Sequence, residues 1–314
     1  MAAIARIRHL TKRFDALTAV DDLSFTVEEG DVYGFLGQNG AGKSTTLRML
    51  LSLVRPTGGE IELFGQSLST HRKTILRQVG AVIEQPELYP FFTGLENLRV
   101  FARLSGKPLP RAALLEQLEL VGLASRADDK AGTYSMGMKQ RLGLAVALVH
   151  DPALLILDEP TNGLDPQGIA DMRNLILSLS RDRNKTLIVS SHLLSEVQVL
   201  ATRMLIIDKG RKVVEGTSDE LLNPVDTIIF LDTEDNADAL EKLRRSPWAA
   251  ALQPGKPHGD AAFVFRLDRA QIARLNADLV AMGIRVTRLE PRHSLEDYFL
   301  QLTSSAQHVA PFAH

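Results

Sequence analysis

Of the 314 residues none is cysteine, one is tryptophan, and aromatic side chains make up only 5% of the chain. The missing cysteines exclude disulfides, thiolate metal sites and cysteine nucleophiles, and fit a reducing compartment. An excess of either charge is also lacking: 36 Lys and Arg stand against 38 Asp and Glu, a formal net charge of −2. That balance argues against a protein held to nucleic acid by bulk charge, so no nucleic-acid partner is expected. No apolar run approaches the roughly 18 residues needed to cross a bilayer. The opening "MAAIARIRHLTKRF" carries basic residues without the apolar stretch of a secretory signal. The chain reads as soluble, so any role at a membrane would need another chain to do the spanning.

What is present is enough apolar residue, 45%, to bury a sizeable core in one large or two moderate domains. Short β-like runs ("AIARIRHL", "AVDDLSFTVEEG", "DVYGFLG") precede a glycine-rich break and an apolar-periodic helix predicted to run through Val54. "RPTGGEIELFG" and "QVGAVIEQ" read as further strands, and from about residue 93 to 150 the pattern turns helical. β-character returns in "ALLILDEP", "KTLIVSSH" and "RMLIIDKGRKVVEG" with helical stretches between, which implies a mostly parallel sheet covered on both faces. The helical block is then an insertion or subdomain.

A second change of texture falls near "DELLNPVDT". Beyond it the order reads strand "TIIFLD", helix "NADALEKLRRS", strands "WAAALQ" and "AAFVFRLD", helix "RAQIARLNADLVAMG", strand "IRVTRLEP" and a closing helix "SLEDYFLQL". This βαββαβ order predicts a small α+β domain of ferredoxin-like type. The expected domains are 1–222, with the helical subdomain inside it, and 226–303, followed by a flexible tail over 304–314. Trp248 and Tyr298 read as core residues of the smaller domain.

The break itself is "GQNGAGKST", residues 37–45. Gly37, Gly42, Lys43 and Ser44 satisfy G-x-x-x-x-G-K-[ST] after a strand and before a helix. Glycine lets the backbone through Asn39, Gly40 and Ala41 curl so that its N–H groups converge, and the positive end of the following helix, at Ser44 and Thr45, favours phosphate. Lys43 would reach the outer phosphates of a nucleotide and Ser44 would ligate Mg²⁺. "LLILDEP" delivers Asp158 and Glu159 at the end of an apolar strand. A buried parallel strand ends beside such a loop, so Asp158 would hold Mg²⁺ while Glu159 polarises an attacking water.

With these residues in place the chain resembles the ATPase subunits of ATP-binding cassette (ABC) transporters over roughly residues 4–220. "TYSMGMKQRLGLAVAL" is similar to the family signature, keeping Ser135 and Gly137 but carrying Met136 and Met138 at the positions of a glycine and a glutamine. In the family this segment caps the γ-phosphate held by the opposite subunit. The variant "S-x-G-M-K-Q-R" is similar to that of subunits exporting drugs, peptide antibiotics or lipids. "TNGLDP" resembles the D-loop, with Asp165 at the dimer interface, and "LIVSSHLLSEV" the switch segment, with His192 touching the γ-phosphate. Register places Glu84 where the family has a glutamine that contacts Mg²⁺ and the permease, with Gln85 the alternative. Phe14 stands near the place of the adenine-stacking aromatic.

The resemblance implies ATP and Mg²⁺ as ligands, a head-to-tail homodimer closing on two ATP molecules, and an integral membrane permease as partner. It places the chain in the cytoplasm, against the inner face of the membrane. A soluble ABC ATPase acting on ribosomes or DNA is the alternative. Those known usually carry a coiled-coil insertion or two cassettes, and neither occurs here. A P-loop GTPase would need an Asn-Lys-x-Asp motif, also absent.

Overall fold

The computed structural model describes residues 2–222, 227–253 and 261–292. The predicted helix "SLEDYFLQL", with Tyr298, and the tail over 304–314 lie outside these residues. The chain divides into two compact units, Met1–Thr217 and Ser218–His314.

The first unit opens with two long antiparallel strands, β1 (Ala3–Phe14) and β2 (Leu17–Glu28). Strand β3 (Val32–Leu36) is buried at every position and leads through the glycine loop into helix α1 (Lys43–Leu50). The helix stops four residues short of the expected Val54 because Ser52 takes φ 56°, a left-handed conformation that ends the α-helical ladder. Strands β4 (Gly58–Leu63) and β5 (Gln66–Ser67) complete a four-stranded sheet in the order β2-β1-β4-β5. A helix the sequence reading does not assign, α2 (Leu68–Leu76), follows it and precedes β6 (Val79–Val82). His71 interrupts α2 with φ −114° and ψ 25°, and so short and broken a helix leaves little apolar periodicity to read.

The helical block contains α3 (Gly94–Leu104), α4 (Arg111–Leu120) and α5 (Met136–Leu148) around their own core, which includes Leu98, Leu114, Leu118 and Leu142, all fully buried. It connects β6 to β7 (Leu154–Asp158), which pair in parallel, so the whole block is one long crossover. Then come α6 (Pro166–Arg181), β8 (Thr186–Ser191), α7 (Leu194–Leu200), β9 (Arg203–Asp208) and β10 (Arg211–Thr217). The six-stranded sheet runs β10-β9-β3-β8-β7-β6, parallel except for the β10 edge. Every position of β7 and β8 is buried, and both carry continuous apolar runs (Leu154–Leu157 and Leu187–Val189), because strands covered on both faces have no solvent side on which to alternate.

The second unit holds α8 (Ser218–Leu222), β11 (Thr227–Thr233), α9 (Asn236–Arg244), β12 (Phe263–Leu267), α10 (Ile272–Ala281) and β13 (Val286–Arg292). Its sheet is antiparallel, β12-β11-β13. The predicted strand "WAAALQ" is a correction: residues 248–251 form turns, and only Leu252 bridges to Phe265. Trp248 explains why, since its ring is buried in this unit's core and its Nε1–H donates to Asp278 Oδ2 at 3.0 Å, which holds the segment as a turn. The single bridge keeps the antiparallel neighbour that a split βαβ arrangement requires.

Candidate active site

Three neighbouring strands of the parallel sheet, β3, β8 and β7, end at one edge. Their registers set Leu36 beside Ser191 and Ser190 beside Asp158. Everything that follows these positions, namely the glycine loop, His192 and Glu159, is therefore delivered to the same carboxyl edge.

Two glycines of the loop are required sterically. A Cβ on Gly37 would lie 2.6 Å from the Ile207 carbonyl oxygen. One on Gly42, at φ +104°, would lie 2.5 Å from the Ala19 oxygen. Gly42 is the N-cap of α1 and makes no side-chain cap bond, so the first amides of the helix face outward unclaimed by a cap. Lys43 is 6% exposed, and its ammonium folds back over the loop, donating to the carbonyls of Gly37 (2.7 Å) and Gln38 (3.3 Å).

Lys43 Nζ also lies 3.3 Å from Oε1 of Glu159. The other oxygen, Oε2, is 2.7 Å from His192 Nδ1. A carboxylate oxygen only accepts, so Nδ1 carries the proton of this bond. Glu159 itself sits at φ 51°, a conformation costing a non-glycine residue about 1–3 kcal/mol. Its backbone N–H donates to Ser190 Oγ at 3.0 Å, which helps to hold the turn.

Asp158 is 1% exposed; its Oδ1 accepts from the Ser190 hydroxyl at 2.5 Å, while Oδ2 is buried with no hydrogen-bond partner. A buried carboxylate oxygen without a donor is costly, and a cation or its hydration shell is the natural complement. Among the described residues no group of three or more His, Asp or Glu could hold a metal unaided. A cation at Asp158 would therefore take most of its ligands from phosphate and water, the habit of Mg²⁺. Ser190 is the site residue that sequence reasoning missed. Nothing local marks it; it joins the site because β8 pairs with β7 and sets it beside Asp158.

Glu84 and Gln85 are both exposed, just past β6. Glu84 takes φ 58° and pairs with Arg48, which ties the loop after β6 to α1. Beyond them the chain exposes Phe91 (84%), Tyr89 (45%) and Phe92 (40%) at the edge of the helical block. Ser135 is the N-cap of α5 and accepts from the Met138 amide at 3.3 Å; a Cβ on Gly137 would touch only Leu164, at 3.8 Å. Asp165 caps α6, accepting from Gly168 N–H at 2.8 Å, and is exposed. The start of α5 and the loop before α6 are thus neighbours. Phe14 closes β1 and is 43% exposed, with Lys12 Nζ 4.6 Å from its ring centroid, so it is not a core residue.

A buried lysine over a glycine loop, paired with a glutamate that a histidine also holds, at a sheet edge where a buried aspartate ends the neighbouring strand, is the arrangement of a P-loop nucleoside triphosphatase. Sequence comparison narrows this. The family described as ABC transporter matches residues 20–162. An uncharacterized ABC transporter ATP-binding protein of Bacillus subtilis is 40% identical over 309 residues, covering 98% of each chain. A bacitracin transport ATP-binding protein of Bacillus licheniformis is 41% identical over 303 residues, 96% of this chain and 98% of its own. Among solved structures, an ABC transporter ATP-binding subunit superposes with TM-score 0.61 at 30% identity, covering 69% of this chain and 91% of its own. A dimeric ATP-binding cassette holding ADP and phosphate superposes with TM-score 0.62 at 25% identity, covering 68% and 98%. The chain belongs to the ATP-binding subunits of ABC transporters and is an ATPase that binds and hydrolyses ATP.

Proposed function

We propose that this chain drives export of a drug, peptide antibiotic or lipid through a separate permease, from the cytoplasmic side of the membrane. Similarity to the bacitracin subunit, and to a Nod factor export ATP-binding protein of Burkholderia lata that is 38% identical over 305 residues, supports export over import. Among the described residues no helix is long and apolar enough to cross a membrane, which leaves that task to the permease.

In this reading Lys43 and the loop 37–45 hold the β- and γ-phosphates, Ser44 and Asp158 hold Mg²⁺, and Phe14 stacks on the adenine. Bound there, the cation neutralises phosphate charge. Glu159 accepts a proton from the attacking water, and His192 orients it and contacts the γ-phosphate. Ser135 and Gly137 present a hydroxyl and an amide to the nucleotide of the second copy, with Asp165 beside them. Two copies close head to tail on two ATP molecules and separate after hydrolysis, because ATP stabilises the closed pair more than ADP does. Glu84, Gln85 and the exposed Tyr89, Phe91 and Phe92 receive a cytoplasmic helix of the permease.

The observation that carries the reading is the Glu159 carboxylate held between Lys43 and His192. The test is co-expression with a neighbouring permease, followed by membrane fractionation and ATP-dependent efflux. Recovery in membranes only with the permease, and efflux lost in Glu159→Gln, are expected. A chain that fractionates with ribosomes or DNA whether or not the permease is present contradicts it.

A further inference from the structure

A groove of about 630 Å³ opens between β1, β4 and the start of α2, and it touches α1 at the end opposite the phosphate loop. At 1.5 Å per residue, Lys43 and Leu50 at the two ends of α1 are about 11 Å apart along its axis, so the groove is separate from the nucleotide site. Its volume is in the range of small-ligand sites.

The lining has a pronounced charge asymmetry. Arg6, Arg8, Arg55 and Arg72 face the groove against only Glu60 and Glu62, a local excess of two positive charges in a chain whose net charge is −2. The available carboxylates are used weakly: Arg6–Glu62 is 3.4 Å and Arg8–Glu60 is 4.0 Å. Among the described residues the guanidinium groups of Arg55 and Arg72 have no hydrogen-bond or ion-pair partner. Ser67 and Ser69 line the same rim, their hydroxyls 2.9 Å apart. Beneath them Met49, Ile61 and Leu68 are buried and give the groove an apolar floor. Donors thus outnumber acceptors around a concave, partly apolar surface.

We infer that this groove binds a phosphate-bearing anion, with Arg55 and Arg72 as its principal partners. Guanidinium forks match phosphate oxygens two at a time. The chemistry is that of a phosphate ester or diphosphate on a small apolar body. A free metabolite phosphate and a lipid headgroup both have it.

Pyrophosphate titrated into the full chain by calorimetry is the first probe. Wild type is expected to bind two equivalents, one at the phosphate loop and one in the groove. Arg55→Ser/Arg72→Ser is expected to bind one, with ATP binding unchanged, and Lys43→Ala to retain the groove equivalent. Both arginines are exposed, so the double variant should fold; Arg55→Lys/Arg72→Lys keeps charge without the fork and is expected to bind at least tenfold more weakly than wild type. Flotation with vesicles of phosphatidylcholine, with and without phosphatidic acid, separates the sources. Wild type floating only with phosphatidic acid, and losing this in the serine variant, identifies a lipid; binding of pyrophosphate with no flotation identifies a soluble phosphate. Equal pyrophosphate stoichiometry in wild type and the serine variant overturns the inference.

Discussion

Glu159 Oε2 and His192 Nδ1 lie 2.7 Å apart although 33 residues separate them in the chain. Parallel pairing of β7 with β8 sets the contact, because Asp158 and Ser190 are partners and each strand then releases its functional residue at the same edge. If Glu159 is the base, Glu159→Gln keeps the shape and removes proton acceptance. Hydrolysis is expected to fall by a factor of about 10²–10⁴ while ATP binding persists and dimers accumulate on gel filtration with ATP. Turnover at the wild-type rate would remove Glu159 from this role.

Lys43 makes contacts of both kinds at once, to loop carbonyls and to Glu159. If Lys43 holds the outer phosphates as proposed, Lys43→Ala deletes that contact, and it also leaves a mostly buried carboxylate without its cation. Nucleotide affinity is expected to drop at least tenfold in an equilibrium titration, on the order of the 1.4 kcal/mol or more that one charge-assisted contact supplies. Undiminished affinity would contradict the assignment of the loop.

Asn97, fully buried on α3, organises the loop that displays Tyr89, Phe91 and Phe92. Its Oδ1 accepts from the Tyr89 amide at 2.8 Å, and its Nδ2 donates to the carbonyls of Thr93 (2.9 Å), Tyr89 (3.1 Å) and Phe92 (3.4 Å). Asn97→Ala strands these groups and should cost about 1–3 kcal/mol in denaturant unfolding. Permease co-purification should weaken while ATP affinity is kept. Retained permease binding with the same loss of stability would separate this loop from the docking surface.

His150 links pH to stability. Burial pushes its pKa below the ordinary 6.5, with Lys107 and Lys185 acting the same way against the bond to the Val79 carbonyl. A histidine whose folded value is depressed binds its proton more readily when unfolded, so its contribution is present above 6.5 and is lost as pH falls toward the folded value. Thermal unfolding temperatures of wild type should decline as pH drops below 6.5, and His150→Gln, which still offers an N–H to Val79, should decline less. Asp151 adds a second loss at lower pH. The bond from Lys185 holds its pKa below 3.8, and the stability this provides disappears as the carboxylate is protonated. Parallel pH profiles for wild type and His150→Gln would show that the acid sensitivity has another origin.

The family, the glycine loop between β3 and α1 and the Asp158–Glu159 strand end could be read from the residues alone. Each is a local arrangement in which glycine, lysine or carboxylate occupies a fixed offset from an apolar run. The parallel sheet was legible too, since strands buried on both faces show continuous apolar runs such as "LLIL". Other features left no local trace. Ser52 ends α1 through one backbone dihedral, Trp248 turns a strand-like segment by donating to Asp278 thirty residues away, and Ser190 becomes a site residue only because β8 lies beside β7. What the chain's own order determined is which chemical groups exist and which segments can carry them. Which of these groups meet was decided by strand order in the sheet, because hydrogen-bonded register brings together residues that no spacing along the chain relates.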